Sequence, residues 1–344
     1  MHCLLLGNGL NRLQSSLNWV GLLRRLGAEH GVPDFEKYID QKPLSLLFEE
    51  LCAYRGGAFR RTETTVKRRI AALLADVKPG DIHRRFVEPF SVIITTNYDY
   101  AIEHNSEGGP LMERVVDVPE SRYSLFRRNR VGKKEVWHIH GDVHYPETIL
   151  LGFDHYAGYL QKIRNYLTDG VISDTSKDPI RSPLKAGAVD FEKWGRRHSW
   201  VDHFLRDHLH IVGLGLDFTE IDLWWLLLHK RRRKNQTGRT FYYSIRISNR
   251  EDHLTETRCS VLRSLGLTVV TVDADTYAAG YDRAIEQIMR NINDNPQLLS
   301  YSAETFEDIG APGAEGIQAF ADAEQTAQMR MKFRRSPRKR KSKK

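Results

Sequence analysis

The amino-acid sequence predicts an α/β protein, a doubly wound parallel sheet of about six strands carrying helical insertions. Two observations predict it. Short apolar runs that read as buried strands alternate with amphipathic helices through residue 292, the pattern of a parallel sheet covered on both faces. Several of those runs end directly in glycine, asparagine or histidine, and open α/β sheets gather their ligands at strand carboxyl ends.

Cys3–Leu6 is the first strand, and Gly7-Asn8-Gly9-Leu10-Asn11 follows at once. A strand feeding a glycine turn and then a helix lets backbone N–H groups meet a phosphate, although the same residues also make an ordinary tight turn. Leu17, Val20, Leu22, Leu23 and Leu26 recur at helical spacing, with Arg24 and Arg25 outside. Gly31-Val32-Pro33-Asp34-Phe35 breaks that helix. Glu36–Ala53 and Thr62–Leu74 read as two or three more, so residues from about 28 to 90 form a helical insertion.

Ser91–Ile94 opens a second buried strand that turns polar at Thr96, Asn97 and Asp99. A ligand or a local side chain to backbone bond accounts equally for that polarity. Residues 104–134 suit short hairpin strands with a turn at 108–110. Glu135–Ile139 is a strand running into His140-Gly141, Thr148–Leu151 resumes strand-like pairing, and Asp154–Leu167 is a helix. Residues 169–197, rich in Asp, Ser, Pro and Gly, read as a lid-like loop. His208–Val212 is a strand closing in Gly213-Leu214-Gly215-Leu216-Asp217, followed by the helix Ile221–His229. Thr240–Ile247 and Leu267–Val272 are the last strands, and Tyr281–Ile292 is the last helix of a sheet domain covering residues 1–295. Residues 296–329 read as an acidic, alanine-rich helix or linker, and residues 330–344 as a disordered basic tail.

The chain's net charge of +8 misleads, because the tail contributes ten Lys and Arg and no acid; taking those ten away leaves residues 1–329 at −2. The tail suits a solubilising end, a polyanion contact or a transport address. No apolar run approaches the roughly 20 residues of a membrane span, and no secretory leader can be fitted. Cys3, Cys52 and Cys259 lie far apart without C-x-x-C spacing, which leaves no disulfide framework or four-cysteine zinc site and points to the cytoplasm.

His138, His140, Asp142 and His144 spell His-x-His-x-Asp-x-His. Metallo-β-lactamase-type hydrolases place the last histidine directly after the aspartate, whereas Val143 intervenes here, so no metal site is assigned. His140 alone also reads as a buried, hydrogen-bonded strand histidine. In order along the chain, G-N-G-L-N, T-T-N-Y-D, H-I-H-G and G-L-G-L-D resemble the sirtuin family's G-A-G-x-S loop, T-Q-N-x-D strand end, H-G pair and G-T-S segment. Asn18-Trp19 with Leu22-Leu23, and Ile149-Leu150-Leu151 with Asp154-x-Tyr156, are similar to a divergent bacterial branch, many of whose members hydrolyse NAD in anti-phage defence. The interval His140–Gly213 lacks the four-cysteine zinc module of deacetylase sirtuins.

The resemblance implies a Rossmann-like NAD-binding domain that consumes NAD as substrate without zinc, releasing nicotinamide and ADP-ribose or a cyclic form of it. It implies that Gly7, Asn8, Gly9, Asn11, Thr96, Gly141, Gly213, Gly215 and Asp217 hold the dinucleotide, with Phe35 from the G-V-P-D-F segment. His140 is then the base toward a ribose hydroxyl or water. Asn97 orients the ribose or the attacking water, and Asp99 binds the carboxamide or anchors the first loop. A homo-oligomer is expected, regulated in defence and working with an NTPase or another defence protein. Two other readings are an NAD- or ADP-ribose-sensing subunit of a larger assembly and a metal-dependent hydrolase using the His-x-His-x-Asp segment.

Overall fold

Strands apolar on both sides require cover on both faces, and the protein supplies it with helices. The computed structural model describes residues 1–296 apart from 15–18, 55–58, 106–111, 119–121, 172–179, 181, 183, 186–187, 190–196, 234–236 and 249–252. The strands are β1 (His2–Leu6), β2 (Val92–Thr95), β3 (Met112–Val116), β4 (Arg127–Val131), β5 (Lys134–His138), β6 (Leu184–Lys185), β7 (Ala188–Val189), β8 (His208–Val212), β9 (Thr240–Ile247) and β10 (Thr268–Ala274). The helices are α1 (Trp19–His30), α2 (Phe35–Tyr38), α3 (Leu44–Ala53), α4 (Phe59–Leu74), α5 (Asp81–Val87), α6 (Phe153–Thr168), α7 (Trp200–Arg206), α8 (Ile221–Arg232), α9 (His253–Ser264) and α10 (Tyr277–Asp294).

Eight strands form the main sheet in the order β10-β9-β8-β1-β2-β5-β4-β3, and β6 pairs with β7 in a separate ribbon. The six strands from β10 to β5 are parallel. Taken in chain order, those six have the doubly wound arrangement whose direction reverses between β1 and β8, the point where such folds bind ligands. The expected count of about six holds for the parallel part. The hairpin expected within residues 104–134 adds β3 and β4 antiparallel at the β5 edge.

Successive strand residues point to opposite faces. Cys3, Leu5, Ile94 and Ile211 pack with α6, α7 and α8, while Leu4, Leu6, Ile93 and Val212 pack with Phe86 of α5 and Tyr281 and Ile288 of α10. A third cluster joins α1, α3 and α4 to Tyr98, Tyr100, Ile149 and Leu151, which extends the helical insertion over the strand carboxyl ends.

Thr148–Leu151 differs from its expected strand. Pro146–Thr148 forms a 3-10 turn and Leu150 N donates to His140 O at 2.8 Å, so the segment folds back beside β5 without joining the sheet. Of residues 169–197, the described part holds the Val171–Ile180 bridge and the β6–β7 ribbon. The rest of that stretch, the turn at 108–110, most of 296–329 and the tail 330–344 lie outside the described residues. Among the described residues, no helix is long and apolar enough to cross a membrane.

The amino ends of β1 and β8 enclose three histidines. Asn291 Nδ2 donates to Tyr243 Oη at 2.9 Å, and Tyr243 Oη donates to His210 Nδ1 at 2.9 Å. His210 Nε2 donates to His2 Nδ1 at 2.9 Å, and His2 Nε2 to Asn295 O at 2.6 Å. With both rings neutral, the carbonyl acceptor at Asn295 sets this direction. His208 stacks on His2 at 4.7 Å. Burial lowers the pKa of all three, His208 to about 4 and His210 to about 3.

Unfolded histidine takes up its proton near pH 6.5, so the folded chain binds fewer protons from there down to about pH 4, and stability is lost as pH falls through that window. The unfolding free energy in urea should drop by at least about 2 kcal/mol between pH 6.5 and 4.5, since each neutral ring contributes about 1.4 kcal/mol per pH unit. A flat profile over that range contradicts the neutral chain.

Candidate functional site

Two turns meet where β1 and β8 end. Gly7 N donates to Val212 O at 3.0 Å and Gly9 N to Gly213 O at 2.7 Å. A Cβ on Gly7 would stand 2.6 Å from Gly213 O, and one on Gly9 would stand 2.7 Å from Gly213 Cα and 2.3 Å from the Tyr281 hydroxyl. Glycine is therefore demanded here by the approach of one turn to the other. Asn11 locks the first turn from behind. Its Nδ2 donates to Asn8 Oδ1 (2.9 Å) and Asp99 Oδ2 (2.7 Å), and its Oδ1 accepts from His83 Nε2 (2.8 Å). Burial keeps His83 neutral by lowering its pKa.

In front of these turns lies a cavity of about 290 Å³. Asn8, Gly9, Thr96, His140, Gly213, Gly215 and Asp217, all predicted, line it. Trp19 and Tyr98, edge to face at 5.0 Å, form part of its wall. Leu216 also lines it, fully buried at φ +48°, a left-handed conformation that costs a non-glycine residue roughly 1–3 kcal/mol.

His140 sits just past β5, and Gly141 at φ +94° turns the chain there, passing so close to Thr148 O that a Cβ would stand 2.2 Å from it. The ring is 2% exposed, with Tyr156 edge-on at 5.4 Å. Nε2 lies 2.9 Å from Asp222 Oδ2, near the start of α8. Asp222 Oδ2 is an acceptor, so in the neutral ring Nε2 carries the proton and Nδ1 keeps its lone pair, and the residue lines the cavity. Burial pulls the His140 pKa down, but the charge and hydrogen bond of Asp222 outweigh it and the net shift is upward.

Among the described residues, Ser45 Oγ, Asn97 Oδ1 and Asp222 Oδ1 around this space are buried without a protein partner. Buried polar atoms are seldom left unpaired, and Ser45 faces the cavity from α3. Glu220 also lines it; burial, reinforced by Asp222 and Asp217, raises that carboxyl to about 7 against the opposing pull of His140.

The other predicted residues fall in three places. Asn97 and Asp99 line a recess of about 20 Å³ that shares Asn8, Trp19 and Tyr98 with the cavity. Asn97 Nδ2 donates to Gly7 O at 3.4 Å. Asp99 has both oxygens committed, to Asn11 and to Ala101 N, the geometry of a loop anchor. Gly7, Asn11 and Gly141 shape the lining from behind. Phe35 does neither: it is 3% exposed, with its ring against Gly27 of α1 in the helical core. Asp217, although on the lining, spends its carboxylate on Thr219 N and Oγ1.

His138 and His140 do not share a site. His138 Nδ1 donates to Asn97 O (2.8 Å) and Nε2 to Glu103 Oε1 (2.7 Å). Two acceptors require two protons, and although burial opposes it, Glu103 lifts the His138 pKa to about 9. Asp142 is taken by Tyr100 and Arg114, and His144 stacks on Tyr100 at 4.2 Å. Among the described residues no group of three His, Cys, Asp or Glu side chains is placed to hold a metal ion. Missed by sequence reasoning were Ser45, Glu220 and Asp222. Asp222 alone carried a signal, an acid in the first turn of an otherwise apolar helix segment.

Two measurements test this arrangement. Gly9→Ala should lower stability by about 1–3 kcal/mol through overpacking against Gly213 and Tyr281; an unchanged melting temperature contradicts the turn-on-turn contact. His138 has a raised folded pKa, so its stabilisation is complete below pH 6.5 and is lost as pH rises through about 9. The deficit in unfolding free energy of His138→Gln relative to the unaltered protein should therefore be largest at pH 6 and shrink toward pH 9.5.

A family model described as SIR2-like domain matches residues 91–270, more than half of the chain, running from the start of β2 into β10 and including Asn97, His140 and Asp222. The first glycine turn lies before the matched segment. No curated protein matches the chain.

Proposed function

Because the chain belongs to the SIR2-like domain family, whose members use NAD as a substrate, we propose that it is an NAD hydrolase cleaving the bond between nicotinamide and ribose. The His140–Asp222 hydrogen bond at the switch-point cavity carries this reading. A histidine whose far nitrogen is held by a carboxylate is a fixed, oriented base, and the same device activates nucleophiles on unrelated folds. Its open Nδ1 takes a proton from water or from a ribose hydroxyl. Hydrolysis gives nicotinamide and ADP-ribose; attack within the substrate gives a cyclic product.

The remaining groups have supporting tasks. Breaking the bond expels a neutral base and leaves positive charge on the sugar, so rate depends on rigid placement and on negative groups aimed at that charge. The locked glycine turns provide the first. Asn97, whose amide oxygen has no partner among the described residues, orients the ribose or the attacking water. Asp99 fixes the first turn through Asn11. The missing cysteine module between His140 and Gly213 favours NAD destruction over deacetylation. Unrestrained NAD loss kills a cell, which suits a gated effector of bacterial anti-phage defence, active as a homo-oligomer in the cytoplasm or with a partner defence protein.

Incubating the full chain with NAD and separating the products chromatographically tests the assignment. Nicotinamide should accumulate, and His140→Ala and Asn97→Ala should each slow its release by about 10²-fold or more. NAD bound and recovered intact contradicts hydrolysis, and undiminished rates in both variants contradict the site. Asp222→Asn should lower the maximal rate by about 10²- to 10⁴-fold. Asp222 raises the His140 pKa, so the acidic limb of kcat/KM should also move to lower pH in that variant.

A further inference from the structure

Glu220 lines the cavity and, among the described residues, forms no ion pair with Lys or Arg. Glu220 precedes α8 by one residue, two positions before Asp222, and its Oε2 accepts from Asp217 N at 2.8 Å, which fixes the carboxyl. Among the described residues, Oε1 accepts no hydrogen bond and no Lys or Arg lies within ion-pair distance of the group. Among the described residues that line the cavity, Arg12, beside the first glycine turn, is the one Lys or Arg. Glu220 is part-buried at the cavity wall, and a carboxylate there without a paired cation is stabilised by an incoming positive charge. The groups that act on it are His140 beyond β5, Asp217 in the turn after β8, Asp222 on α8, and the Tyr98, Tyr156 and Tyr242 hydroxyls. None but His140 bears a positive charge when protonated.

Resting on the hydrolase reading, we propose that Glu220 is a catalytic residue: its carboxylate faces the ribose carbon and stabilises the positive charge that develops there as nicotinamide departs. In this step the bond from C1′ to the pyridinium nitrogen breaks and its electron pair leaves with nicotinamide, which becomes neutral. A lone pair of a water oxygen forms the new bond to C1′. The proton lost by that water goes to His140 Nδ1. Glu220 remains ionised throughout and takes no proton, so its part is electrostatic, and preorganised charge of this kind is worth the most in a water-poor site. It also favours the oxidised dinucleotide, whose nicotinamide ring is cationic, over the reduced form. Burial raises Glu220 toward neutrality, which makes its ionised fraction depend on pH in the range where the enzyme works.

The test is nicotinamide release from NAD by the full chain between pH 5.5 and 9, comparing the unaltered protein with Glu220→Gln and Glu220→Asp. Glu220→Gln should lower kcat by about 10²-fold with KM within about threefold. The acidic limb of log kcat/KM should fall with a slope near two in the unaltered protein, where His140 and Glu220 must both be deprotonated, and near one in Glu220→Gln. Glu220→Asp should keep the steeper limb and recover part of the rate. A Glu220→Gln variant within twofold of the unaltered kcat, or one that loses only KM, overturns the assignment while leaving hydrolysis intact. Thermal stabilisation by NAD, retained in Glu220→Gln, separates lost chemistry from lost folding. Unaltered protein that is stabilised by NAD yet returns it whole overturns both readings.

Discussion

The contact between the two glycine turns is the constraint on which the site depends. Gly9 N–H reaches Gly213 O at 2.7 Å only because neither turn carries a side chain at the point of approach. Closing the ends of β1 and β8 in this way sets the floor of the cavity, aims the following α8 at it, and so delivers Asp222 to His140. A doubly wound sheet places such a crevice wherever its direction reverses; what this chain adds is a histidine from the far side of β2, carried there by β5. The strands position the chemistry and the turns fix it.

Charge separates the roles of two neighbouring histidines. His138 is held between two acceptors and stays protonated well above neutral pH, acting as a clamp between β5 and the segment after β2. His140 has one acceptor and one open nitrogen, the requirement for a base. The same residue type at the amino ends of β1 and β8 stays neutral, because burial there meets a neutral hydrogen-bond chain and, among the described residues, no carboxylate contacts His210. Three environments within one sheet thus give three titration behaviours.

Much of the fold was legible in the sequence, and the reason is burial. Strands covered on both faces leave uninterrupted apolar runs, so Cys3–Leu6, Ser91–Ile94 and His208–Val212 declared themselves, together with the polar residues that end them. Helices α5 and α7 escaped because seven residues hold too few repeats to show periodicity. Thr148–Leu151 resembled a strand by composition, yet the turn at Pro146 folds it back. Within the site, His140, Asn97 and the glycines stood out through their spacing, whereas Asp222 and Ser45 come from helices, and Glu220 from the residue before one, whose local sequences look like scaffold; only the tertiary fold brings them to the site. Phe35 shows the converse, a matching G-V-P-D-F segment whose ring is claimed by Gly27 in the helical core.

The claim most exposed to measurement is that Asp222 holds His140 as a base. Nitrogen-15 histidine NMR of the full chain, titrated between pH 5 and 9, reads it directly. His140 should titrate above 6.5 with its proton on Nε2 in the neutral form, and Asp222→Asn should bring that midpoint down. A His140 midpoint at or below 6.5, or one indifferent to Asp222→Asn, contradicts the account.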